Sequence, residues 1–143
     1  MKKHLLSCLL LGLLSSNYVA TAQATNIVTT SLKAAPSQAY FQLASEVADL
    51  LKRASTLSDE KALSLLRRES PSLQLRAKQV KPAYQNWLRS LSVPEQKAED
   101  KRIATSPWGR YFADLDPKLG AKIGRNKAIG QQVMYLMSLF EGV

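Results

Sequence analysis

The sequence predicts an all-α protein, a single compact bundle of five or six short helices without a disulfide. Three observations point there. Apolar residues recur at three- and four-residue steps through most of the chain; side chains that cap helices stand before prolines at several points; and no sustained period-two run of β-branched residues occurs.

Residues 1–24 are set apart by composition. The basic opening Met1-Lys2-Lys3-His4 is followed by a mostly leucine run from Leu5 to Leu14 and then by small residues up to Ala24. This is the pattern of a cleavable secretory signal peptide, and its apolar part is shorter than the roughly 20 residues that span a bilayer. Small-x-small sites place cleavage after Ala22 or Ala24. The expected mature protein is therefore exported, periplasmic or secreted, with no transmembrane segment.

Removal of residues 1–24 leaves 119 of the 143 residues, enough for one domain. It also removes Cys8 and His4, the only cysteine and the only histidine. Metal, haem and iron–sulfur sites built on thiolate or imidazole, and triads that need a His base, then have no ligand or base in one chain. No metal, no cofactor and no catalytic residue is assigned. The mature chain keeps 18 basic against 11 acidic residues, a charge of +7. Outside the cytoplasm that surplus points away from nucleic acid and towards an acidic protein partner or an anionic envelope surface, lipid headgroups or cell-wall polymer.

Residues 25–36, rich in Thr, Ala and Ser, read as an extended lead-in to a helical domain spanning 37–143. Ser37 is placed to cap a helix with Tyr40, Leu43, Val47, Leu50, Leu51 and Ala54 on its apolar face. Ser58, followed by Asp59 and Glu60, starts a shorter helix that should end before Pro71. Leu73, Ala77, Val80, Tyr84, Trp87 and Leu91 then mark one face of a third segment, with a kink or restart expected at Pro82. Ser92 and Glu95 stand in capping-box relation, and Ser106-Pro107 and Asp116-Pro117 each open a further helix. Ser58 to Lys61 also matches the Ser-x-x-Lys of penicillin-interacting enzymes, but the companion motifs are absent and capping explains the serine.

The strings "LSDEK" at 57–61 and "LSVPEQ" at 91–96 resemble the Leu-Thr-x-x-Gln elements of small, basic, helical periplasmic stress chaperones. Both have serine for threonine, Lys61 stands in place of glutamine, and the second has one extra residue. Capping chemistry accounts for both strings without the family.

Three places are candidates for contact with a partner. Trp108 and Tyr111, with Arg110 between them and Phe112 beside them, form either a core cluster or an aromatic-arginine anchor. Lys118, Lys122 and Arg125 share a stripe if Pro117 starts a helix; Gly120 and Gly124 then form a small-residue face suited to close approach of a neighbouring backbone. The segment 133–140, "VMYLMSLF", is apolar nearly all round and serves either the core or a face shared with another protein or a second copy, a homodimer through the C-terminal helix. The function these features favour is an exported, non-enzymatic helical protein that binds a protein partner as an inhibitor, immunity-type protein, adaptor or chaperone. A binder of anionic surfaces is the alternative. A small enzyme using Glu95, Asp114 or Asp116 is the third reading.

Overall fold

The computed structural model describes residues 18–142, with side chains from Pro36 onward. The expected signal peptide lies largely outside the described residues. By its internal contacts the chain divides into residues Met1–Ala34 and Ala35–Val143; of the first, only helical backbone is described, and the side-chain chemistry below belongs to the second. Six α-helices and no strand occur among the described residues: α1 Tyr18–Thr56, α2 Asp59–Arg89, α3 Val93–Thr105, α4 Pro107–Ala113, α5 Pro117–Arg125 and α6 Lys127–Ser138. The all-α class read from periodicity is the class observed. No helix among the described residues is long and apolar enough to cross a membrane.

Two boundaries differ from expectation. Residues 25–36 are helical in α1 rather than extended, with Pro36 inside the helix. Ser37 is accordingly not an N-cap; it is buried, and its hydroxyl is used by a residue of α3. The expected short helix ending before Pro71 and the segment after it are one helix, α2, which runs through both Pro71 and Pro82. Each proline removes an amide and crowds the preceding turn. Both rings are exposed, where water can serve the carbonyls they free. The opposite face stays in phase across them, burying Leu65, Leu66, Leu73, Ala77 and Tyr84. Burial of a continuous face outweighs the local penalty.

The main core joins Leu43, Val47, Leu50 and Leu51 of α1 to Leu65, Leu66 and Leu73 of α2, Leu119 of α5, and Ile129, Val133 and Leu136 of α6. Each residue of the α1 stripe from Tyr40 to Ala54 is buried. The α6 segment is one-sided rather than apolar all round: Ile129, Val133 and Leu136 are sealed, while Met134 is 59% exposed.

Apart from Ser37, the expected caps are present. Ser58 precedes α2, Ser106 Oγ accepts from the Gly109 amide at 2.9 Å, and Asp116 accepts from the Lys118 amide at 2.8 Å. Glu95 accepts from the Ser92 amide at 2.8 Å, completing its capping box. Asn126, unnoticed in the sequence, caps α6 through the Ala128 and Ile129 amides. Ser106 both ends α3 and begins α4, and Asn126 does the same between α5 and α6.

Candidate functional site

Three arrangements gather polar or aromatic side chains. The first centres on Glu99 of α3, buried beside the aromatic cluster. Its Oε1 accepts from the Ser37 hydroxyl at 2.5 Å, the Tyr84 hydroxyl at 3.0 Å and the Arg102 guanidinium at 2.8 Å; its Oε2 accepts from Arg102 Nε at 2.8 Å. Burial works to raise the Glu99 pKa, but the bonds from Arg102, Ser37 and Tyr84 prevail and hold it below the ordinary value. Tyr84 is shifted upward, first by burial and then by the Glu99 carboxylate. With about four lone-pair sites on a carboxylate and four donors supplied, little capacity remains for a substrate proton. This centre joins α1, α2 and α3.

Aromatic rings close around it. Tyr40 stacks on Tyr84 with centroids 4.0 Å apart, Trp108 meets Phe41 edge-on at 5.2 Å, and the Arg102 guanidinium lies 4.0 Å from the Phe41 ring centroid. Trp108 is 6% exposed, so it belongs to the core rather than to an exposed anchor. Tyr111 is half-buried, with burial lifting its pKa to about 12, whereas Arg110 is exposed and makes no ion pair among the described residues.

The second arrangement consumes most of the basic stripe. Lys122 is buried; its ammonium donates to the Leu57 carbonyl at 2.5 Å and to Asp59 at 3.1 Å. Arg125 grips the same carboxylate through two nitrogens at 2.9 and 2.8 Å. Hydrogen bonds from Arg125 and Lys122 bring the Asp59 pKa down to about 2. This clamp fastens α5 to the start of α2, and of the stripe only Lys118 stays exposed without an ion pair. Gly120 and Gly124 have no neighbouring backbone of the described chain against them, since an added Cβ would meet open space at either.

Two of the three candidate carboxylates are likewise engaged. Asp116 accepts from the Ser55 hydroxyl at 2.7 Å as well as capping α5, and Glu95 completes its own cap. Asp114 is exposed. Among the described residues no group of three His, Cys, Asp or Glu side chains is placed to hold a metal ion.

The third arrangement is the groove between α2 and α6. Two adjoining depressions of about 400 and 460 Å³ share Gln74 and Tyr135. A third, towards the end of α2, shares Gln85 with the second. Ala77, Pro82 and Leu139 supply apolar lining; Arg67, Lys78, Lys81 and Arg89 are the cations along it, and Asp100 of α3 lines the third depression. The Tyr135 hydroxyl is buried without a hydrogen-bond partner among the described residues. Sequence reading did not find this groove. One signal was available: residues 70–90 contain Arg76, Lys78, Lys81 and Arg89 but no acid.

No family model matches the sequence, and neither the curated proteins nor the solved structures provide a match. The two Leu-Ser strings that resemble chaperone elements sit at the starts of α2 and α3, where Ser58 and Ser92 are capping residues.

Proposed function

We propose that this is an exported, non-enzymatic binding protein whose target is an acidic region of another protein. The observation that carries the reading is the division of charge. Asp49, Asp59, Glu46, Glu69 and Glu99 are taken up in ion pairs within the fold, while Glu60, Asp100, Asp114 and Glu141 are exposed without one among the described residues. Arg67, Lys78, Arg89, Arg110 and Lys118 are exposed and have no ion pair among the described residues. Free cations on a positively charged surface favour encounter with an acidic partner. A different protein is favoured over a second copy because the apolar face of α6 is already covered within the chain, leaving Met134 as its exposed large apolar residue.

The test is recovery of tagged protein from the envelope after cross-linking, with N-terminal sequencing of what is recovered. A chain beginning at Gln23 or Thr25 and cross-linked to a defined protein supports the reading. An uncleaved chain, or cross-linking to no protein, rejects it. Retention on vesicles of phosphatidylglycerol that weakens steeply with salt, with no protein cross-linked, would establish the anionic-surface alternative instead.

A further inference from the structure

We infer that the groove between α2 and α6 binds an extended acidic peptide segment, an inference that rests on the reading of this protein as a binder of acidic protein. Its charge is arranged along a line. Arg67, Lys78 and Arg89 line successive depressions of the groove, with Lys81 beside Lys78 in the second and Asp100 of α3 beside Arg89 in the third; Arg67, Lys78 and Arg89 follow one another at steps of eleven residues. Eleven residues are close to three helical turns, so the three cations share one side of α2 at intervals of about 16 Å. Such spacing is too wide for them to converge on a single phosphate. It suits a chain that carries an acid every four to six residues, since an extended strand advances about 3.3 Å per residue.

The uncharged lining fits a peptide backbone. Gln74 and Gln132 each carry both donors and an acceptor, the complement of alternating N–H and C=O groups. A lipid headgroup phosphate would use the donors alone. The end of the chain displays the same chemistry: Gln85 donates to the Gly142 carbonyl at 2.8 Å, and Lys81 donates to the carbonyl of Glu141. The groove thus already makes backbone contacts of the kind required. Ala77, Pro82 and Leu139 provide the apolar floor for side chains between the acids, and Tyr135 lines both of the first two depressions.

The experiment is fluorescence anisotropy of the mature protein with a labelled twelve-residue peptide that carries glutamate at every fifth position, with leucine and serine between. Its controls are the glutamine-for-glutamate peptide and phosphatidylglycerol vesicles. The acidic peptide is expected to bind, the neutral one to bind at least about tenfold more weakly, and Lys78→Glu to weaken the acidic peptide by a similar factor. Lys127→Glu, at an exposed residue that lines none of the three depressions, should leave binding within about twofold of wild type. Circular dichroism verifies that each variant is folded. Equal affinity for the two peptides, equal loss in both variants, no loss in Lys78→Glu, or binding to vesicles but not peptide would overturn the proposal. If the acidic peptide fails while a protein partner is still cross-linked in the envelope, the groove assignment falls and the broader reading stands. If both fail, both fall.

Discussion

The Ser37 hydroxyl, well inside α1, donates to Glu99 on α3 at 2.5 Å across 62 positions of sequence. The same Glu99 oxygen takes the Tyr84 hydroxyl of α2, so one carboxylate ties three helices. Replacing it by alanine leaves two buried hydroxyls without their acceptor. Glu99→Ala is expected to cost about 2–3 kcal/mol and Ser37→Ala about 1 kcal/mol, measured by urea denaturation. The larger value is held below that of a fully enclosed pair because Arg102 is 51% exposed. Equal stability of Glu99→Ala and wild type would show that the carboxylate does not hold the helices together.

Asp59 gives a pH dependence with a defined sign. Its folded pKa of about 2 lies below the ordinary 3.8, so the stability it contributes is fully present above pH 3.8 and lost as pH falls towards 2. In Asp59→Asn that component is absent, and stability should fall less between those limits. Acid titration followed by circular dichroism for both proteins measures the difference. Parallel curves would disconnect Asp59 from acid unfolding.

Glycine substitutions should act in opposite directions. Gly120 lies within α5, and a Cβ there meets nothing within 4 Å. Gly120→Ala is therefore expected to stabilise by about 0.5–1 kcal/mol, through helix propensity and a less free unfolded chain. At Gly109 an added Cβ would stand 2.0 Å from the Ile103 carbonyl oxygen. Gly109→Ala must displace backbone and should lower the melting temperature. Calorimetry of the two variants tests both signs.

Trp108 connects the aromatic cluster to α4. With the ring 6% exposed and edge-on to Phe41, Trp108→Ala is expected to lose about 3–5 kcal/mol. Thermal denaturation distinguishes a core residue from an exposed anchor, whose removal would leave the melting temperature unchanged.

The parts of the fold visible in the sequence were those governed by near neighbours. Helical phase identified the buried stripe from Tyr40 to Ala54, and local capping identified Ser58, Ser92, Ser106 and Asp116. Prolines misled the boundary reading because the local cost at Pro71 and Pro82 is visible in the sequence, while the long-range burial that outweighs it is not. Charge misled for a related reason. Lys122 and Arg125 look like a solvated stripe until Asp59, more than sixty positions away in sequence, is folded against them. Glu99 and Arg102 stand three residues apart, at helical spacing, but nothing local announces Ser37 or Tyr84. The groove depends on α6 lying along α2, a tertiary relationship that neither helix encodes alone.

Ser106 and Asn126, each closing one helix and opening the next, leave those two corners without a spare residue. A protease must draw several residues into its cleft in extended form, and a one-residue elbow offers none. Nicking at either corner therefore has to wait until the adjoining helix melts. Digestion there becomes a clock for opening of the fold rather than a map of its loops.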